Sequence, residues 1–201
     1  MIETVIFDLG KVLVPFEIER GYAALAGVCP HPPDEIRRRL IATGLVPKLE
    51  TGQVAPREFV AAVTKALDVE AGYEEFRRLW SCIFLPDTLI PESMVKALRA
   101  RYRLLLLSNT NAIHYEMLEE NYPILRHFDD RILSHVVGAM KPDPRIYSAA
   151  IATAGCAPER IFFTDDIAEY VEAACRHGID AVQFESAEQL ERELRARGLE
   201  W

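Results

Sequence analysis

Four short stretches of the chain hold the residues able to do chemistry. Asp8 lies in the apolar run Ile6-Phe7-Asp8-Leu9-Gly10-Lys11-Val12-Leu13-Val14. A carboxylate taken out of water is costly unless a partner or a metal holds it, so either Asp8 stands near a strand end where something binds it or the run is not a strand. Ser108-Asn109 follows the aliphatic run Leu104–Leu107, and Thr164-Asp165-Asp166 follows Ile161-Phe162-Phe163. The turn Gly138-Ala139-Met140-Lys141-Pro142-Asp143-Pro144 supplies a lysine. Brought to one mouth, these would be three carboxylates, one hydroxyl and one ammonium. Carboxylates are hard oxygen ligands for Mg²⁺, which keeps several waters and binds few protein groups. A hydroxyl, backbone amides and a lysine neutralise phosphoryl oxygens. The set suits a divalent cation with a phosphoryl group.

The elements that would position these residues are strands whose ends meet. Short apolar runs at Thr4–Leu9, Arg103–Ser108, Arg131–Val136, Arg160–Thr164 and Asp180–Phe184 fit strands buried on both faces, as in a parallel sheet. Helical stretches separate them. Ala112–Asn121 follows Asn111 as N-cap, Pro144–Thr153 opens on a proline, and Asp166–His177 stops at Gly178. Ser186-Ala187-Glu188-Gln189 is a capping box opening a last helix to about Arg197. Strand and helix in alternation predict an α/β, doubly wound, Rossmann-like parallel sheet, whose ligands bind beyond the carboxyl ends of the strands. The alternation breaks between Val14 and about Pro91, where no core strand is evident. Helical stretches near Glu17–Ala26, Asp34–Ala42, Pro56–Leu67 and Tyr73–Ile83 stand there instead, with Phe59, Val63 and Leu67 forming one apolar stripe. Residues 15–90 are therefore expected to be an inserted helical cap domain, with 1–14 and 91–201 as the α/β core.

Composition narrows the function classes. Half of the 201 residues are apolar and 27% are charged, enough for a full core. With 23 basic against 31 acidic residues the formal charge is −8, which argues against a general nucleic-acid or anionic-membrane binder. A small anionic substrate in a local basic pocket remains compatible. Cys29, Cys82, Cys156 and Cys175 are scattered, with no Cys-x-x-Cys pair, and are expected to be small buried residues in a reducing compartment. The start MIETVIFDLG has no basic region followed by a long apolar run, so no signal peptide is expected and a cytoplasmic setting is.

Taken in order, Asp8-Leu9-Gly10, Leu107-Ser108-Asn109, Lys141-Pro142-Asp143-Pro144 and Phe163-Thr164-Asp165-Asp166 resemble the four motifs of the haloacid dehalogenase (HAD) superfamily, mostly Mg²⁺-dependent phosphatases. The resemblance spans residues 1–185 and includes a helical insertion where this family usually carries its cap. FDLG, LSNTN, Glu50-Thr51-Gly52 and MKPDPRIY further resemble a branch of small sugar-phosphate phosphatases whose best-known type acts on α-D-glucose 1-phosphate. The resemblance implies that Asp8 is the nucleophile, forming an aspartyl-phosphate that water later hydrolyses. It implies that Ser108 holds a phosphoryl oxygen beside the backbone amide of Asn109, and that Lys141 balances charge. Mg²⁺ would rest on Asp8, the Gly10 backbone carbonyl and Asp166. Asp165 would reach it directly or through water, or orient Lys141. The implied partner is a small phosphorylated metabolite, with neither nucleic acid nor membrane.

Gly10 departs from this pattern. Most family phosphatases carry an aspartate there, which gives its carbonyl to the metal and its carboxyl as general acid to the leaving group. Here the carbonyl survives and the proton donor does not. General acid–base help is worth about 10²–10⁴ in rate. A leaving group that departs without an acid, a water, or a donor from the cap would each fill the gap. A metal-free 2-haloacid dehalogenase also lacks that aspartate, but has no use for the acidic pair Asp165-Asp166. A phosphate- or partner-binding module without turnover is the third reading. Among the remaining residues, Arg20 and Tyr22 could reach a substrate hydroxyl. Lys11 reads as a surface residue or a weak electrostatic aid, Arg37-Arg38-Arg39 as a solvated helix face, and His114, His127, His135 and His177 as structural.

Overall fold

A computed structural model describes all of residues 1–201. The chain runs β1 (Thr4–Phe7), α1 (Ile18–Ala26), α2 (Pro33–Thr43), α3 (Leu45–Glu50), α4 (Pro56–Ala66), α5 (Tyr73–Ser81), α6 (Glu92–Arg99), β2 (Arg103–Ser108) and α7 (Ala112–Asn121). It continues through β3 (Asp130–Leu133), α8 (Ser134–Val137), α9 (Pro144–Ala154), β4 (Ile161–Asp165), α10 (Ala168–Arg176), β5 (Asp180–Gln183) and α11 (Ala187–Ala196). All strands are parallel, in the order β3-β2-β1-β4-β5.

Side-chain alternation along the strands divides the core in two. Val5 and Phe7 point to the face shared by Leu104, Leu106 and Phe162, covered by α6, α7 and α11 through Leu98, Leu118 and Leu190. Ile6 points to the opposite face with Leu105, Leu107 and Phe163, covered by α9 and α10 through Tyr147 and Ala174. Strands buried on both faces read as continuous apolar runs. That is why β1, β2 and β4 were legible, and each fully buried aliphatic or Phe side chain contributes about 1.5–3 kcal/mol.

Helices α1 to α5 stand between β1 and β2 in the chain and pack around a third apolar cluster. Phe59, Val63 and Leu67 are buried in it, as their spacing predicts, beside Leu25, Ile36 and Phe76. Ile113 of α7 also enters this cluster. The two chain segments joining the helices to the sheet pair with each other: Glu17 N donates to Ile83 O at 2.9 Å and Leu85 N to Pro15 O at 2.9 Å.

Two expectations need correction. The predicted strand Arg131–Val136 ends at Leu133, and residues 134–137 turn into the one-turn helix α8. Ser134 Oγ accepts from Thr110 N at 2.9 Å and donates to Thr110 O at 2.8 Å, substituting for the ladder, and Val136 is left exposed. The cysteines are unpaired but not buried: Cys29, Cys82 and Cys156 are half-buried and Cys175 is exposed. Cys82 is used at the junction, where Arg20 Nε donates to Cys82 O at 3.1 Å and Cys82 Sγ to Arg20 O at 3.5 Å.

Candidate active site

The carboxyl ends of β1, β2 and β4 and the turn before α9 meet at one point. Asp8 follows β1 directly, with its N–H donating to Thr164 O at 2.9 Å. Lys141 Nζ donates to Asp8 Oδ1 at 2.8 Å, to Asp165 Oδ2 at 2.5 Å and to Leu107 O at 3.0 Å. All three protons of the ammonium are thus spent. The Lys141 side chain is 1% exposed and that of Asp165 is fully buried, so the two charges are held by each other, Asp8 and backbone groups in place of water.

Burial pushes the Asp8 carboxyl up to about 7, opposed by Lys141 and reinforced by Asp165. Burial would lower the Lys141 ammonium, but the two carboxylates outweigh it and hold it above the ordinary lysine range. Asp166 is half-buried and likewise raised, by burial and then by Asp165. Asp8, Asp165 and Asp166 each offer an oxygen within 4.8 Å of the others. Three carboxylates against one ammonium leave a formal charge of −2, which one divalent cation cancels. The donors are all hard oxygens, as Mg²⁺ requires.

The two aspartates of the pair differ in freedom. Asp165 Oδ1 accepts from Ile167 N at 2.9 Å and Oδ2 from Lys141, so both its oxygens are engaged. No other residue holds the Asp166 carboxyl by a hydrogen bond, and its backbone carbonyl accepts from Gln183 Nε2 at 2.8 Å. The helix expected from Asp166 begins at Ala168, which leaves both aspartates in the loop ahead of it.

Ser108 ends β2 with 2% exposure. The side chain of Asn109 is committed to the loop: Lys141 N donates to Asn109 Oδ1 at 2.7 Å, and Asn109 Nδ2 to Lys141 O at 3.0 Å. This paired clamp, which copies a strand ladder across to the Lys141 backbone, was invisible in the sequence, where Asn109 offered only its amide. At Gly10 the ring of Phe16 fills the space a side chain would take, with an added Cβ 2.8 Å from Phe16 Cε1. Lys11 is exposed, its Nζ 5.2 Å from the centre of the Phe16 ring, and its charge reaches Asp166.

A cavity of about 470 Å³ opens over Leu9, Gly10, Ser108 and Asn109, between the strand ends and the inserted helices. Tyr22 lines it and Arg20 does not. His114 and Glu50 line it too, neither of them read as site residues from the sequence. His114 is sandwiched by Trp80 (ring centres 5.6 Å apart) and Phe84 (5.2 Å), and both nitrogens are occupied, Nδ1 by Asn111 and Nε2 by Trp80 O. His127 and His177 lie elsewhere, on Glu92 and on the Tyr147 ring. The signal for Glu50 was the turn Glu50-Thr51-Gly52, whose acid the sequence left without a task.

A buried lysine bridging two strand-end carboxylates on a doubly wound sheet defines a class of acid-rich α/β sites facing a helical insertion. The haloacid dehalogenase-like hydrolase family model matches residues 2–178, and the chain belongs to that family. It is 26% identical to the D-ribitol-5-phosphate phosphatase of Bacteroides thetaiotaomicron over 96% of this chain and 97% of that one. It is also 26% identical to a phosphorylated carbohydrates phosphatase of Thermotoga maritima, over 90% of this chain and 83% of the relative. The crystal structure of a HAD family enzyme from Bacteroides thetaiotaomicron, in complex with magnesium and inorganic phosphate, superposes with a TM-score of 0.83 at 25% identity, over 92% of this chain and 96% of that one.

Proposed function

We propose that this chain is a Mg²⁺-dependent phosphatase hydrolysing a small phosphomonoester, of the sugar-phosphate class, through an aspartyl-phosphate. The observation that carries the reading is the Lys141 ammonium fixed between Asp8 and Asp165, with Asp166 close enough to complete an acidic set two charges short of neutral. The magnesium- and phosphate-bound relative and the two sugar-phosphate phosphatases of similar length support it.

Mg²⁺ would rest on Asp8, the Gly10 carbonyl and Asp166, and when bound would neutralise phosphoryl oxygens. Asp165, with both oxygens engaged, orients Lys141. Asp8 keeps Oδ2 clear of side-chain partners for attack on phosphorus, while Lys141 on Oδ1 fixes the carboxylate plane. The Ser108 hydroxyl and the Asn109 N–H receive phosphoryl oxygens. Water then cleaves the aspartyl-phosphate and regenerates Asp8. We take residues 15–90 as the cap and 1–14 with 91–201 as the core, joined where Phe16 and Phe84 pair. A sugar 1-phosphate, like the α-D-glucose 1-phosphate of the resembling branch, asks least of a general acid, because an anomeric oxygen departs more readily than a simple alcohol. Four unpaired thiols agree with a cytoplasmic setting.

A metal-free dehalogenase would leave Asp166 idle beside the buried pair, and a binding module would release no product. Hydrolysis of p-nitrophenyl phosphate, with Mg²⁺ and then with EDTA, tests the reading because p-nitrophenolate departs without an acid. Mg²⁺-dependent release, abolished by Asp8→Asn, is expected. Absence of release in both conditions would sink the phosphatase reading.

A further inference from the structure

We propose that Glu50, reaching the site from the inserted helices, is the proton donor to the departing oxygen that Gly10 cannot be. The inference rests on the phosphatase reading above. Gly10 carries no acid, and the Phe16 ring occupies the space its side chain would take. The cavity above Gly10 and Ser108 is walled largely by apolar side chains, and Glu50 is the one carboxylic acid among its lining residues. Two other lining groups titrate, Tyr22 and His114, and His114 has both nitrogens occupied.

Glu50 closes α3, half-buried, and its carboxyl makes neither a hydrogen bond nor an ion pair with the rest of the chain. An unpaired carboxyl in apolar surroundings favours the protonated form that an acid catalyst needs. Burial is the sole cause lifting it above the ordinary glutamate range. The charges on the elements packed against α3 are turned elsewhere. Glu35, Arg38 and Arg39 of α2 pair with one another, Arg57 of α4 lies over the Tyr73 ring, and His135 of α8 meets Thr110 O. Asp34, Arg37, Lys48, Glu58 and Lys65 are solvent-exposed.

The position of Glu50 is also fixed from the core side. Two residues later the chain reverses at Gly52, with φ 67°, and an added Cβ would lie 2.2 Å from His135 O. No residue but glycine fits so close to a backbone carbonyl. The neighbouring Ser134 is tied by two hydrogen bonds to Thr110, just past the end of β2. A short run of contacts therefore links the end of β2 to the turn that follows Glu50.

The step balances. As Asp8 forms its bond to phosphorus, the bond from phosphorus to the leaving oxygen breaks, and that oxygen takes the Glu50 proton and departs as an alcohol. The Glu50 carboxylate then accepts a proton from the water that attacks the aspartyl-phosphate. Inorganic phosphate and both starting side chains result.

The test compares Glu50→Gln with the unmodified enzyme on p-nitrophenyl phosphate and on the best alkyl substrate from a panel of sugar phosphates that includes D-ribitol 5-phosphate. The ratio of kcat on the alkyl phosphate to kcat on p-nitrophenyl phosphate should fall about 100-fold, and the decline of the alkyl-phosphate rate at high pH should vanish. An equal loss on both substrates, an unchanged ratio, or a retained high-pH decline overturns the proposal. So does Tyr22→Phe reproducing the pattern, or an unmodified enzyme that cleaves p-nitrophenyl phosphate and no alkyl phosphate. An unmodified enzyme inactive on every substrate with Mg²⁺ would instead remove the phosphatase reading itself.

Discussion

Asp165 and Asp166 are adjacent in sequence and opposite in situation. Asp165 is fully buried, its oxygens taken by Lys141 and by the Ile167 N–H. An amide in its place must turn one NH₂ donor toward another donor, whichever way it is flipped. Removing one partner of a buried ion pair costs about 3–5 kcal/mol, so Asp165→Asn should show that loss in urea unfolding without metal. Asp166→Asn breaks no side-chain bond and should leave stability within about 0.5 kcal/mol in the same experiment. It should instead abolish the gain that Mg²⁺ gives the unmodified protein, about 2.7 kcal/mol at a hundred times the dissociation constant. If Asp165→Asn unfolds like the unmodified protein, Asp165 is not what holds Lys141. If Asp166→Asn keeps the Mg²⁺ gain, the cation rests on other oxygens. The resemblance set Asp166 on the cation and left Asp165 to the cation or to Lys141. The contacts of Asp165 depend on how the chain after β4 places it against the Ile167 N–H and Lys141, which the sequence does not show. The convergence itself was legible, because Asp8, Ser108 and the acidic pair each stand where an apolar run ends.

Helix α7 carries the junction between sheet and insertion through His114. Burial holds this imidazole down to about 4, against an ordinary 6.5, with its ring between Trp80 and Phe84. Because the folded value lies below the unfolded one, the unfolded chain binds the extra proton between pH 4 and 6.5. The stability that His114 contributes is complete above pH 6.5 and is lost as pH falls toward 4. Taken alone, His114 lowers the unfolding free energy by about 1–2 kcal/mol between pH 7.5 and pH 5. The raised Asp8 carboxyl acts in the opposite sense over the same window, so the His114 share is read as the difference between the profiles of the unmodified protein and His114→Gln. An identical pH profile in the variant would show that other groups carry the acid sensitivity. At this scale the sequence spoke unevenly. Asn111 as N-cap of α7, Pro144 opening α9 and Ser186 capping α11 are all found, with Asn111 Oδ1 accepting from His114 N and Ser186 Oγ from Gln189 N, each at 3.1 Å. Helix α3 was missed because Pro47 interrupts a six-residue span too short to show a period. The end of β3 was missed because Val136 and Val137 prolong the apolar pattern into residues that Ser134 has already turned away from the sheet.

Taken whole, the molecule ties its inserted helices to the sheet through shared packing. The break in strand–helix alternation is real, yet the apolar cluster of the insertion is completed by Ile113, fully buried and borne by a core helix. Arg77 of α5 adds an ion pair across the same junction, 2.8 Å from Glu120 of α7. An insertion with its own closed core would melt independently, whereas one that borrows a core side chain is tied to the sheet. Ile113→Ala should destabilise the protein by about 2–4 kcal/mol, and in the unmodified chain unfolding should be a single transition. The two tryptophans report on opposite sides, Trp80 in the insertion cluster and Trp201 against the sheet face. Fluorescence and far-UV circular dichroism curves should therefore superimpose. Two separated transitions would mean that the α5–α7 junction yields before the sheet does. The same junction walls the cavity, through Trp80 and His114, over the strand ends. One contact surface thus sets both the cooperativity of folding and the shape of the cavity over the strand ends, so Ile113→Ala should raise KM as it lowers stability, with Asp8 and Lys141 untouched.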